Sequence, residues 1–255
     1  MKIVLCFLML IFLPLSAKAD ILNIREVTSP SGIKAWLVED HTVPALSIKF
    51  AFRGAGSSND PENLQGLSRL LSNTLDEGAG DLSSEQFQSI LNDQSIDLSF
   101  YTTRDDFGGQ LKTLTKNKAK AFELLKLSLT APLFEQSAVN RMIAANIGRI
   151  KNDMTDPEWM SARLMNSVVF KDHPYGMNSG GTLSSLPKIT PQDLRQKLGT
   201  ELTRDRLIVS VAGDISEQEL SQILDAVFGQ LTEKGQSREI KPVEFSAGSE
   251  TLFKH

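Results

Sequence analysis

"GLSRLLSNTLDEGAG", residues 66–80, is the stretch on which the reading of the fold turns. Leu64, Leu67, Leu71 and Leu75 recur every three or four residues, so a helix places them on one face. Arg69, Ser72 and Asn73 fall together on the opposite face, because positions i, i+3 and i+4 of a helix are neighbours. The spacing predicts a helix over 63–77, started near Asn59-Asp60-Pro61 and stopped at Gly78.

Outward from this helix, strands and helices mix. "GIKAWLVED" (32–40) and "ALSIKFAFRGAGS" (45–57) alternate apolar and polar residues and read as strands. "SIDLSFYTTRDDFGGQLKTLT" (95–115) reads as two strands turned at Arg104-Asp105, and "RLIVSVAGDI" (206–215) as a buried strand. Helices are predicted over 81–94 with Ser83 and Gln86 as a capping box, over 116–132, over 135–153 and over 156–170. In the 135–153 helix Val139, Ile143, Ile147 and Ile150 form the core face. Two more helices follow, 190–202 capped by Thr190 and 216–231. Neighbouring strands joined by short turns, without a regular β-α-β alternation, argue for antiparallel pairing and an α+β class.

The chain has 255 residues, 40% hydrophobic and 23% charged, with no Pro/Gly/Ser linker dividing its middle. One domain over 20–242 is the simplest organisation. The first residues stand apart. Lys2, the thirteen-residue run Ile3–Leu15 and Ala17-Lys18-Ala19 have the layout of a secretory signal peptide over 1–19. The run is short of the roughly 20 residues that span a bilayer. The sequence around Cys6 lacks the small residues of a lipoprotein signal. Cleavage after Ala19 implies a periplasmic or secreted protein with no membrane association. It also removes Cys6, the only cysteine, and with it any disulfide, thiol nucleophile or thiolate ligand. Losing Lys2 and Lys18 takes the formal net charge from −4 to −6, and no basic stripe with interleaved aromatics marks a nucleic-acid surface.

The order of the elements resembles the pitrilysin/insulinase family of zinc peptidases over about residues 22–240. "LVEDHTVPALSIKFAFRGAGSSNDPENLQGLSRLL" (37–71) is similar to that family's first strands, glycine turn and metal-binding helix. "SFYTTRDDFGGQLKTLTKNKAKAFELLKLSLTAPLF" (99–134) is similar to the strand pair and helix that follow. "HPYGMNSGGTLSSLPKITPQDL" (173–194) and "LIVSVAGDIS" (207–216) match its later loop and strand. The resemblance implies one pitrilysin-type domain, a mainly antiparallel sheet packed with helices. It also makes 243–255 a linker or the start of a second domain.

Active members carry H-x-x-E-H on this helix, two histidines binding zinc and a glutamate acting as base, with a glutamate on a later helix as third ligand. Carried over by position, the histidines fall on Arg69 and Asn73, the base on Ser72 and the later glutamate near Asn146. Arginine is a fixed cation, and serine and asparagine are poor zinc ligands and no general base. No glutamate occurs between Gln136 and Pro157. The degenerate positions therefore predict no catalytic residues, no metal site and no cofactor in this chain. His41, His173 and His255 lie far apart, and turn or surface roles suit them better than ligation. The pairs Asp76-Glu77 and Asp105-Asp106 read as solvated, Trp36 and Trp159 as packing residues, and Gly180-Gly181 as a tight loop. No G-x-S-x-G elbow or phosphate loop is present.

Zinc-less members are typically partners of zinc-bearing homologues, the two enclosing a chamber for peptide substrate. The resemblance implies that role here, as a heterodimer with zinc in the partner. A secreted scaffold or binding protein, or a truncated remnant, is the alternative. The leader gives the first prediction: N-terminal sequencing of the exported protein should begin at Asp20, and a membrane-bound form starting at Met1 would contradict it.

Overall fold

The computed structural model describes residues 23–236 and 240–243; the expected leader, most of the expected linker and His255 lie outside the described residues. Six strands form one sheet: β1 (Ile24–Thr28), β2 (Lys34–Glu39), β3 (Ala45–Arg53), β4 (Asp97–Thr102), β5 (Asp106–Leu114) and β6 (Leu207–Gly213). Their order is β1-β2-β6-β3-β5-β4. Every neighbouring pair is antiparallel except β2–β6, which is parallel, so the sheet is mixed but mainly antiparallel. β1 is not predicted by periodicity. Only Val27 of its five residues is buried, so it carries almost no pattern.

Seven α-helices are described: α1 (Leu67–Ser72), α2 (Ser84–Asp93), α3 (Lys118–Thr130), α4 (Gln136–Asp153), α5 (Pro157–Val169), α6 (Pro191–Glu201) and α7 (Glu217–Phe228). The alternation of β3 decides where they pack. Leu46, Ile48, Phe50 and Phe52 are buried on one face, while Lys49 and Arg53 are exposed. The Phe50 ring meets Phe52, Phe100 and Phe228 edge-on at 5.6–6.2 Å between centroids, which joins β3 and β4 to α7. Trp36 points the other way and is 50% exposed, so of the core or half-buried packing roles expected for it, the core one is ruled out.

The helix over 63–77 is shorter than predicted. Residues 62–64 form a separate 3-10 turn, and Gly66 breaks the chain at φ 93°, a left-handed conformation. A side chain there would also lie 2.7 Å from the Cα of Gly181, so the 180–181 loop seats directly on the start of α1. At the other end the Thr74 hydroxyl donates to the carbonyl of Leu70, closing the helix after Asn73. The predicted two-faced pattern also changes. Leu67, Leu71 and Leu75 are buried and Leu64 partly so, but Leu70 and Ser72 are buried as well. The reason is that α1 is enclosed by β4 on one side and by α4 and α6 on others. Its second face therefore packs against protein.

Asp60 fixes the helix start. Its carboxylate accepts from the Gly66 amide at 3.1 Å, the Ser68 amide at 3.1 Å and the Ser68 hydroxyl at 2.6 Å. Lys197 of α6 stands 3.3 Å from the same carboxylate and 2.7 Å from Glu201. Burial pushes the Asp60 carboxyl up, against the pull of Lys197 and the Ser68 donors.

The acidic pair after α1 is not solvated as predicted. Glu77 takes an ion pair from Arg141 at 2.5 Å and a hydrogen bond from Ser84 at 2.7 Å. Burial, reinforced by the Glu77 charge, pushes Asp76 up to about 6. An unfolded aspartate titrates near 3.9. Between these values the folded chain holds the extra proton, so Asp76 costs stability as pH rises through that window. Asp76→Asn should stabilise the protein by about 1–2 kcal/mol at pH 8 and by nothing below about pH 4, allowing for partial solvation. Denaturant melts at the two pH values check this, and an equal effect at both would refute it. Leu71 is fully buried. Leu71→Ala should cost about 2–5 kcal/mol, and a loss below about 1 kcal/mol would mean that α1 does not anchor the core.

Candidate functional site

The site grows from α1 and α4. α1 is held by Asp60 and packs on α4, and Asn73 at its end reaches the longer helix. Across the two helices, the fold brings the degenerate positions 73 and 146 into direct contact. Ser72 and Asn73 follow Arg69 by one turn, and the Asn73 amide donates to the Arg69 carbonyl at 3.1 Å. Asn146, 7% exposed on α4, donates through Nδ2 to Asn73 Oδ1 at 3.3 Å. The core face of α4 is as predicted, with Val139 and Ile150 buried and Ile143 and Ile147 partly buried.

The donor set does not suit a dication. Arg69 contributes a guanidinium, and Ser72 turns its hydroxyl back onto the Arg69 carbonyl at 2.8 Å. The amide oxygen of Asn73 is already engaged by Asn146. Among the described residues, no group of three or more His, Cys, Asp and Glu side chains is arranged to hold a metal.

The two described histidines are held elsewhere. His41 contacts Asp214 through Nδ1 at 2.6 Å and Glu39 through Nε2 at 2.9 Å. These two carboxylates, Asp214 first, raise its pKa. It is therefore an ion-paired surface histidine beside β2. His173 caps a 3-10 turn: its Nδ1 accepts from the Tyr175 amide at 3.1 Å and its Nε2 contacts the Lys241 carbonyl at 2.9 Å. Asp105 accepts a hydrogen bond from the Tyr175 hydroxyl, which ties the β4–β5 turn to this loop.

Sequence reasoning missed the charge around Arg69. A cavity of about 220 Å³ opens between α1, the β4–β5 turn, α4, α5 and the loop 177–180. Four arginines line it: Arg69, Arg104, Arg149 and Arg163, with Asp153 and Trp159. They lie at widely separated positions on four elements, so no run of charge announces them. Burial, and the neighbouring Arg149 charge, lower the pKa of Arg69; burial lowers that of Arg163. Arg163 stacks over Trp159 with its Cζ 4.4 Å from the ring centroid, which makes Trp159 part of the cavity wall.

Comparison with known proteins places these features. A non-peptidase homolog called YmxG from Helicobacter pylori is 27% identical over 227 residues, 89% of this chain and 52% of the relative. A protein called an uncharacterized zinc protease, YmxG of Bacillus subtilis, is 22% identical over 222 residues, 87% of this chain and 54% of the relative. The chain thus spans about half the length of these relatives. The fold matches the crystal structure of a peptidase M16 inactive domain from Pseudomonas fluorescens. The TM-score is 0.81 at 20% identity, covering 88% of this chain and 54% of that one. Residues 37–181, more than half of the chain, match the model of the insulinase family, peptidase family M16, and the chain belongs to that family.

Proposed function

We propose that this chain is a non-catalytic member of the insulinase family, exported to the periplasm or secreted, and that it pairs with a zinc-bearing homologue. The observation that carries this reading is the donor set on α1 and α4. Activating water at neutral pH needs a metal held by several nitrogen or carboxylate ligands, with a base beside it. Arg69, Ser72, Asn73 and Asn146 supply a positive charge, a hydroxyl turned onto the backbone and two amides bonded to each other. Two of the comparisons lend support: the Helicobacter pylori relative is called a non-peptidase homolog, and the Pseudomonas fluorescens structure is of an inactive domain. The Bacillus subtilis relative is called an uncharacterized zinc protease, so the names pull both ways and the reading rests on these residues.

In this role the chain shapes a chamber shared with its partner, and peptide substrate reaches zinc held by that partner. Its contribution is the packed scaffold that presents α1 and α4. The test is metal analysis and peptide hydrolysis by the purified protein, with recovery of associated proteins from the periplasm. The expected result is no bound zinc, no cleavage alone and co-purification with an H-x-x-E-H homologue. Near-stoichiometric zinc, lost when Arg69, Ser72 and Asn73 are changed together, would overturn the reading, as would chelator-sensitive cleavage without a partner. Arg69→His, Ser72→Glu and Asn73→His together should give only weak zinc binding. Adding Asn146→Glu should strengthen it by about tenfold or more, since position 146 already touches position 73.

A further inference from the structure

The arginine cavity has an electrostatic character opposite to that of the whole chain. The protein carries a formal charge of −4. Yet the cavity wall carries four guanidiniums and one carboxylate, Asp153. Among the described residues, none of Arg69, Arg104, Arg149 and Arg163 has a carboxylate within 4.0 Å, so no ion pair of this chain neutralises the cluster. Arg69 Nε is buried with no hydrogen-bond partner. Arg104 spends one donor on the Met177 carbonyl, at 3.2 Å. Arg69, Arg104 and Arg163 are partly buried, and Arg149 reaches the cavity from the exposed side of α4. Cations gathered in this way repel one another, and leaving an N–H unpaired in the interior adds to the cost. A chain that needed only a packed scaffold gains nothing from the arrangement.

What relieves both costs is an anion. Guanidinium forks match the paired oxygens of a carboxylate or a phosphoryl group, and charge-assisted bonds of this kind are short and strong. The cavity volume of about 220 Å³ suits one such group with a short stem. Trp159, fixed under Arg163, provides an apolar wall beside it. We propose that this cavity is an oxyanion-binding site, taking a carboxylate or phosphoryl group through Arg69 and Arg149, with Arg104 and Arg163 completing the field. The proposal stands whether or not a zinc-bearing partner exists, because every residue in it belongs to this chain.

The experiment is titration calorimetry on the purified protein, without partner. The probes are a capped, amidated peptide of consecutive glutamates, its glutamine counterpart and inorganic phosphate. The glutamate peptide should bind, more weakly as salt rises, and the glutamine peptide should not. Arg69→Gln and Arg149→Gln should each weaken binding about tenfold or more. Neither should lower the melting temperature of the ligand-free protein, since each removes one of a set of repelling cations. A purely structural arginine would give the reverse pattern. If Arg69→Gln fails to fold, Arg163→Gln on the rim serves in its place. Binding of phosphate without the glutamate peptide supports the site and identifies a phosphoryl ligand. Failure of both anions to bind the unmodified protein, or binding unchanged by loss of Arg69 and Arg149, overturns the proposal.

Discussion

A buried carboxylate and a buried ammonium hold α1, on which the candidate site is built, in place. Asp60 and Lys197 have side chains only 1% exposed and lie 3.3 Å apart. Isolated, either charge would be very costly in the interior. Together they are tolerated because Asp60 also accepts the first-turn donors of α1 and Lys197 also meets Glu201. Removing one partner of such a pair typically costs about 3–5 kcal/mol, because the other is left buried and unpaired. The consequence is positional. α1 is only six residues long, too short to be stable by itself, so its orientation is set by this capping carboxylate and by burial of Leu67, Leu70 and Leu71.

That division separates scaffold from chemistry. The packing that seats α1 against α4 uses other residues: Asp60, Lys197, the leucines and the Gly66–Gly181 contact. The side chains at the site can therefore change type without disturbing the helix pair. Here they have settled into a local polar solution. Asn146 and Asn73 satisfy each other, and Ser72 satisfies its own backbone. Arg69 is the exception, partly buried with an unpaired Nε, and it opens onto the cavity where the other arginines gather.

Most of the fold was legible because it rests on short-range periodicity. β3, β5, β6 and α4 show it plainly, and the Ser83-Gln86 and Thr190-Asp193 caps are spelled out within four residues each. The lost signals have separate causes. β1 is an edge strand with one buried residue, so it has no alternation to read. The leucine stripe suggested a helix with one dry face, but a helix enclosed on several sides buries Leu70 and Ser72 too, and periodicity cannot count neighbours. Gly66 looked like an interior helical residue, whereas its left-handed φ marks the break before α1. At the site, helical spacing grouped positions 69, 72 and 73, but their role, and position 146, came only through family resemblance, 73 residues separating the two asparagines. The arginine cavity had no sequence signal at all, since its members come from four elements and a loop closes it.

On the proposed reading, the helix pair that would carry a metal site is kept and its ligands are exchanged for groups that favour anions. Anomalous diffraction from crystals soaked in zinc and selenate tests both halves at once. The account predicts a selenium peak among Arg69, Arg149 and Arg163, with no zinc between residues 69, 73 and 146. A zinc peak at those three residues, with no selenium in the arginine cavity, would contradict it.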